Sequence, residues 1–153
     1  MLRSLVGSEM CIRDRTRMPN WERGVANIYF TIQEFKKLKP QLDWDKLILI
    51  GHSNGGDMTM LFATKYPHLI NKAISMDHRR MIMPRTEKPR LYTLRGCDYD
   101  ADAGVLPTKQ EQEQFHMKVV KLDGITHSNM GENGTEEQHR LINQSISGFL
   151  TQK

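Results

Sequence analysis

The chain has few cysteines and no long hydrophobic run, and these two absences exclude several classes of protein. Cys11 and Cys97 are its only cysteines among 153 residues, too few and too far apart for a disulfide framework or a cysteine zinc site. No apolar stretch approaches the ~20 residues that a membrane-spanning helix needs. Two free thiols are typical of a reducing compartment, so we expect a cytoplasmic location, and the cysteines imply no metal.

Neither sign of charge dominates the sequence. The 22 basic and 18 acidic residues give a formal net charge of +4, and most of these charges are interspersed. The one short basic cluster beyond the N-terminus is His78, Arg79 and Arg80, with Arg85 nearby. A nucleic-acid interface needs a basic face or stripe, so the sequence predicts no nucleic-acid partner. The cluster could pair with a substrate carboxylate, although exposed arginines are more commonly solvated.

The composition fits one globular domain, but the first 15 residues do not fit with the rest. Hydrophobic residues make up 38% of the chain and charged residues 26%, which is ordinary for a folded protein. Residues 1–15 show no clear period, and Arg3 and Glu9 interrupt their apolar residues, so they are not a signal peptide. They resemble a spurious translation of adaptor sequence. We therefore expect an artefactual or disordered leader over residues 1–15 and assign the domain to residues 16–153.

Hydrophobic periodicity predicts helices alternating with strands. Apolar residues between Trp21 and Phe35 recur at steps of three and four, which predicts a helix with Asn20 as its N-cap and Pro40 beyond its end. Residues 47–50 form an unbroken apolar run, typical of a parallel strand buried on both faces. The further strands predicted are 73–76, 91–94 and 119–122, and the further helices are 58–66, 108–115 and one opened by a capping box at 135–138. This order predicts an α/β fold with a parallel sheet and helices on both faces.

A glycine-rich motif directly follows the first predicted strand. Gly51-His52-Ser53-Asn54-Gly55 has the form G-x-S-x-G, in which a strand turns sharply into a helix and presents the serine at the corner. Side chains two residues to either side of that serine would collide, and Gly51 and Gly55 remove them. His52 is interpreted as structural.

The helix that follows this motif has a second consequence. The backbone amide of Asn54 lies at the helix N-terminus, where N–H groups and the helix dipole favour an anion, so it is predicted to form half of an oxyanion hole. Gly56 gives the helix room to pack on the strand.

The sequence GHSNGG, with LILI before it, resembles the nucleophile elbow of the α/β-hydrolase family. The resemblance covers roughly residues 16–153 and corresponds to the C-terminal half of that fold, a partial α/β-hydrolase fold with no lid domain. It implies the chain order serine, acid, histidine, and so Ser53 as nucleophile and His127 as general base. Asp98 is the first choice for the acid and Asp102 the alternative. Two further candidates stay open, Asp100 and Asp77.

The resemblance also implies a function. It predicts a serine-dependent acyl hydrolase of the esterase, lipase or thioesterase kind, most often a carboxylic-ester hydrolase, that acts on a small-molecule acyl substrate through an acyl-Ser53 intermediate. No cofactor or metal is implied. The alternatives are a non-catalytic binding protein on the same fold and an acyltransferase with the same triad. The family's early strands and second oxyanion donor have no counterpart before residue 20, so we expect a longer parent protein and low activity of this chain alone.

Overall fold

The computed structural model describes the backbone of residues 3–152 and the side chains of residues 16–152. The chain divides into two units, Met1–Leu42 and Asp43–Lys153. The first unit contains helix α1, Arg3–Leu38, which runs through Pro19. The prediction that this helix begins at Asn20 is therefore wrong, because a helix can continue past a proline at the loss of one backbone hydrogen bond. The predicted leader has its side chains outside the described residues and stays a prediction.

The second unit is built on a four-stranded sheet. Its strands are β1 (Ile48–His52), β2 (Lys72–Met76), β3 (Arg90–Arg95) and β4 (Lys118–Lys121), and they lie in the order β1-β2-β3-β4. All three pairings are parallel, so the carboxyl ends of the strands share one edge. These strands confirm the four predicted from the apolar runs, with ends that differ by one or two residues.

Three helices accompany this sheet, and the start of the last one was predicted from its capping box. They are α2 (Asn54–Lys65), α3 (Lys109–Gln114) and α4 (Glu136–Thr151). The capping box that opens α4 is confirmed, because the Thr135 hydroxyl accepts the Gln138 N–H and the Gln138 side chain accepts the Thr135 N–H. Helix α3 begins with the same arrangement at Thr108 and Glu111. Among the described residues, no helix is both long and apolar enough to cross a bilayer.

Helices α2 and α4 lie on opposite faces of the sheet. Ile74 of β2 belongs to a buried cluster with Ile142 and Phe149 of α4. The next residue, Ser75, lies against Gly56 of α2, where a Cβ atom would be 3.3 Å from the Ser75 Cβ. Because successive side chains of a strand point to opposite faces, these contacts confirm the predicted helices on both faces.

Strand β1 is more exposed than its sequence predicts. Residues 48–52 are partly buried or exposed, and Ile50 is 46% exposed. The expectation that residues 47–50 are buried on both faces is wrong, because β1 lies at the edge of the described sheet and pairs only with β2. Strand β2 has a neighbouring strand on each side, and its first four residues are all buried.

Candidate active site

Ser53 lies at the corner between β1 and α2. It is the first residue after β1 and the N-cap of α2, with φ 54° and ψ −121°. This left-handed φ is uncommon for a residue with a side chain. The Ser53 N–H donates to the carbonyl of Met76, at the end of the neighbouring strand, over 2.9 Å. The corner is therefore tied to the sheet while it carries a strained backbone.

Two glycines make this corner possible, and one of them is not the glycine expected from the motif. A Cβ atom at Gly51 would lie 2.3 Å from the Gly55 carbonyl oxygen, and one at Gly56 would lie 2.9 Å from the Cβ of His78. A Cβ atom at Gly55 would meet no other atom within 4 Å. The steric reason given for Gly55 is therefore wrong, since the obstacle to a side chain at Gly51 is the Gly55 backbone and the tight helix packing is at Gly56.

His127 reaches Ser53 from the loop after β4. Its Nε2 atom lies 3.0 Å from the Ser53 Oγ, within the range of a hydrogen bond. The ring of His52 lies beside it, with the two ring centroids 4.8 Å apart. His52 Nε2 lies 3.0 Å from the His127 carbonyl oxygen, which agrees with the structural interpretation of His52. Burial, with His127 as a second cause, lowers the pKa of His52.

The carboxylate that contacts the His127 ring belongs to Asp77. Its Oδ2 atom lies 2.6 Å from His127 Nδ1, and the side chain is fully buried. Asp77 is the first residue after β2, with φ 54°, and its N–H donates to the carbonyl of Leu94 over 2.8 Å. Asp77 is among the further candidates for the acid predicted from the sequence, but it is not the first choice. Its position directly after a strand, like that of Ser53, is the signal that could have raised it to the first choice.

The acids preferred in the sequence analysis lie elsewhere. Asp98 is exposed and accepts the backbone N–H of His127 at 2.8 Å, so it contacts the histidine's main chain and not its ring. The half-buried Asp102 donates its backbone N–H to the carbonyl of Arg79, and Asp100 is exposed. The structure thus brings Ser53, His127 and Asp77 together. Asp98 was preferred on chain order, but chain order does not determine which carboxylate contacts the His127 ring.

Buried polar groups surround Asp77. The Asp77 Oδ1 atom accepts the Gly96 N–H at 3.0 Å and lies 3.0 Å from Nη2 of Arg95, which is 5% exposed. The neighbouring His78 is fully buried, and its Nδ1 lies 2.6 Å from the Ser75 hydroxyl. Burial, reinforced by the nearby Arg95 charge, lowers the pKa of His78 to about 3, so that this imidazole is neutral at ordinary pH.

The loop after Asp77 is held by a second buried carboxylate that the sequence analysis missed. Asp57 of α2 is 3% exposed, and its Oδ1 accepts the backbone N–H groups of Arg80 and Met81 at 3.0 and 2.8 Å. Burial raises the pKa of Asp57 above its usual range. The helix that begins at the serine corner is thus also bonded to the loop that carries the acid.

The basic cluster near residue 80 has mixed surroundings. Arg85 forms an ion pair with Glu111 at 3.2 Å and donates to backbone carbonyls, among them that of Leu106 at 2.8 Å. The half-buried Arg79 has its guanidinium 4.6 Å from the ring centre of Tyr99. With His78 fully buried, the cluster is not one continuous basic surface, and Arg85 holds a loop together.

The contacts at the carboxyl edge suit one kind of chemistry. Asp77 fixes the orientation of the His127 ring through Nδ1, which leaves Nε2 directed at the Ser53 hydroxyl. A hydroxyl in such a chain of contacts can lose its proton to the imidazole as it attacks an electrophile. The first backbone N–H of α2, that of Asn54, lies next to the same hydroxyl in the chain.

The chain was compared with known proteins by sequence. No family model matches it. A probable serine hydrolase of Drosophila melanogaster is 25% identical over 87 residues, which are 57% of this chain and 26% of that protein. A serine hydrolase-like protein of Homo sapiens is 26% identical over 90 residues, which are 59% of this chain and 43% of that protein. The chain thus matches less than half the length of either curated relative.

Solved structures with similar folds point the same way. An acylaminoacyl peptidase of Pyrococcus horikoshii matches with a TM-score of 0.64 and 14% identity, over 84% of this chain and 27% of that one. A structure from a study of carboxylesterases of Nitrososphaera gargenis matches with a TM-score of 0.53 and 14% identity, over 80% and 72% of the two chains. The parallel sheet and these matches identify a partial α/β-hydrolase fold. The two curated relatives, both called serine hydrolases or serine hydrolase-like, are similar to this chain over somewhat more than half of its length.

Proposed function

We propose that this chain carries the catalytic triad of an acyl hydrolase, with Ser53 as nucleophile, His127 as general base and Asp77 as the acid that orients the base. The observation that carries the proposal is the unbroken chain of contacts from Ser53 Oγ to His127 Nε2 at 3.0 Å and from His127 Nδ1 to Asp77 Oδ2 at 2.6 Å. Ser53 attacks the carbonyl carbon of the substrate while its proton passes to His127 Nε2.

The remaining steps follow from the same three groups. The tetrahedral intermediate collapses, the bond from the carbonyl carbon to the leaving group breaks, and His127 returns the proton to that group. Water, deprotonated by His127, then attacks the carbonyl carbon of the acyl-Ser53 ester. The bond from that carbon to Ser53 Oγ breaks, His127 returns the proton to the serine oxygen, and the carboxylic acid is released. Throughout, the buried Asp77 carboxylate stabilises the charged imidazole and holds its tautomer.

The Asn54 backbone N–H is proposed as one donor to the oxyanion. It is the first N–H of α2, where the helix dipole also favours negative charge. One hydrogen-bond donor to the oxyanion typically accelerates the reaction by a factor of about 10²–10³. The second donor is proposed to come from a part of the protein outside this chain.

The substrate class is proposed to be carboxylic esters. The similar structures include an acylaminoacyl peptidase and a structure from a study of carboxylesterases. Both names refer to enzymes that cleave a bond to an acyl group. The alternative of a non-catalytic binding protein would be favoured if His127 lay more than ~3.5 Å from Ser53, beyond reach for proton transfer. The 3.0 Å separation of Ser53 and His127 favours catalysis, because a binding protein has no need to keep this contact.

The proposal is tested by labelling the chain with a fluorophosphonate probe, which reacts with activated serines. We expect one labelled site, at Ser53, and its complete loss in Ser53→Ala. Ser145→Ala is the matched control, since Ser145 lies on α4 and donates its hydroxyl to the Leu141 carbonyl. Equal labelling of wild type and Ser53→Ala, or labelling that disappears in Ser145→Ala, would contradict the proposal.

A further inference from the structure

The last residue of β3 places a buried positive charge behind the proposed triad. Arg95 is 5% exposed, and its Nη2 atom lies 3.0 Å from Asp77 Oδ1. Its Nη1 atom donates to the backbone carbonyl of His78. A buried guanidinium is costly unless it is paired and hydrogen-bonded, and both of these partners belong to the corner after β2.

The Asp77 carboxylate is shared between two charged or chargeable groups. Its Oδ2 contacts His127, whereas its Oδ1 receives the Gly96 N–H and lies against Arg95. Arg95 Nη2 makes no aligned hydrogen bond within the described residues, so its contact with Oδ1 acts mainly through charge. The carboxylate is thus held from one side by the guanidinium and a backbone amide, and it holds the imidazole on the other.

The same guanidinium spans the strained part of the corner. Asp77 has φ 54°, in a region that a residue with a side chain enters only when its surroundings impose it. Arg95 contacts the side chain of Asp77 and the carbonyl of His78, which are the groups on either side of the intervening peptide bond. Moving the Asp77 backbone out of this conformation would therefore separate Arg95 from at least one of them.

Charge balance gives Arg95 a second effect on the site. Asp77 and Arg95 together carry no net charge. A buried carboxylate is costly unless it is paired and hydrogen-bonded. Arg95 therefore offsets the cost of burying the Asp77 side chain at the place where it contacts the His127 ring.

We propose that Arg95 is a positioning residue, whose guanidinium fixes the Asp77 carboxylate in the orientation that contacts the His127 ring. This inference rests on the proposed roles of Ser53, His127 and Asp77.

Other charged groups face the same cluster and must stay constant in any test. His52 of β1 lies beside the His127 ring, and Asp98, after β3, accepts the His127 N–H. Around Arg95, the charges of Arg79, Asp100 and Asp57 also act on the guanidinium. The variants below leave all five residues in place, so that differences between them report on Arg95.

The test compares Arg95→Met, which removes the charge, with Arg95→Lys, which keeps it. Two quantities are measured: the rate of fluorophosphonate labelling, and the NMR signal of the His127 Nδ1 proton, which reports the hydrogen bond to Asp77. In Arg95→Met we expect the labelling rate to fall about tenfold or more because the carboxylate is less well oriented, and the His127 proton signal to shift or broaden. In Arg95→Lys both quantities should stay close to those of the wild type.

Arg90→Met is the matched control, because Arg90 is an arginine at the opposite end of the same strand. It should move neither quantity. An Arg95→Met variant that reacts slowly but keeps the wild-type His127 proton signal would overturn the proposal, since a purely structural role predicts that result. An Arg95→Lys variant as impaired as Arg95→Met in both quantities would overturn it as well.

Removing one partner of a buried ion pair can prevent folding, and a second comparison covers that outcome. Asp77→Asn/Arg95→Met leaves no unpaired buried charge, and it is compared with Asp77→Asn alone. The proposal requires the two to be labelled at similar rates, because Arg95 acts through the Asp77 carboxylate, and a further tenfold loss in the double variant would refute it. The NMR measurement needs no reaction at Ser53. An unlabelled wild type whose Arg95→Met variant shows the expected change in the His127 signal would therefore reject the proposed function, whereas a labelled wild type whose variant lacks that change would reject the role of Arg95.

Discussion

Ser53 and Asp77 occupy equivalent corners of the sheet. Each is the first residue after its strand, each has φ 54°, and each donates its N–H to the carbonyl of the last or second-last residue of the adjacent strand. The two corners stabilise this backbone in different ways. The corner after β1 has glycines in its own segment, Gly51 and Gly56, whereas the segment 77–80 after β2 has none and is filled by the buried side chains of His78 and, from β3, Arg95.

The difference shows two ways to hold a strained residue at a strand end. Where the obstacle is a backbone that passes too close, removing Cβ atoms relieves it, and the sequence then shows a glycine pattern. Where the corner is held by charge and hydrogen bonds, the residues come from separate strands and leave no local pattern. The comparison predicts that the β1 corner is most sensitive to size and the β2 corner most sensitive to charge.

The largest expected effect is on the charge at the β2 corner. Asp77→Asn keeps the size of the side chain but removes its charge, and we expect reactivity of Ser53 to fall by about 10³–10⁴ because the base loses its orienting anion. Asp98→Asn changes the exposed carboxylate that bonds only to the His127 main chain, and its effect should stay below about tenfold. The measurement is the fluorophosphonate labelling rate of the two variants at neutral pH.

This pair of variants also decides between the two aspartates. If Asp98→Asn lost reactivity and Asp77→Asn kept it, the equivalence of the two corners would have no functional meaning. The acid would then be the residue preferred on chain order alone.

The next effect concerns size at the β1 corner. Gly51→Ala places a Cβ atom 2.3 Å from the Gly55 carbonyl oxygen, so the backbone must shift, at an expected cost of about 3 kcal/mol in the free energy of unfolding. Gly55→Ala has open space around the new Cβ and lies in α2, so we expect a change within about 1 kcal/mol. Urea unfolding of both variants measures the two costs, and similar costs would show that space is not what distinguishes these glycines.

The smallest expected effect, counted per pH unit, is the loss of stability at acid pH that comes from His78 at the β2 corner. The pKa of His78 is lowered by burial from 6.5 to about 3, so between these values the unfolded chain binds a proton that the folded chain does not. The free energy of unfolding should therefore fall as the pH falls through this window, by about 1.4 kcal/mol per pH unit from this residue. Urea unfolding at pH 6 and pH 4 measures the slope.

The matched variants for the acid effect are His78→Gln and His68→Gln. His68 is exposed, so its replacement should leave the slope unchanged, whereas His78→Gln should reduce it. A slope that is the same in all three proteins would show that His78 does not couple folding to pH.

Much of the fold could be predicted from residues near each other in the chain. The apolar runs marked all four strands, and Thr135 with Gln138 marked the start of α4, because strand burial and helix capping depend on neighbours two to four positions away. The predictions for the start of α1 and for the burial of β1 were wrong because local sequence carries too little information on either. A proline is weak evidence for a helix boundary, and an apolar run does not reveal how many strands lie beside it.

The sequence by itself determined the serine corner with Gly51 and Gly56, and the histidine that follows the last described strand, because each depends on nearby spacing along the chain. Only the tertiary structure decided which carboxylate meets that histidine. Asp77 and Asp98 both follow strands and fit the same chain order, and the choice between them depends on the parallel alignment of β2 with β3. That alignment brings Arg95 and the Gly96 amide to Asp77 and makes a buried, charged carboxylate tolerable there, since paired and hydrogen-bonded charges can leave water.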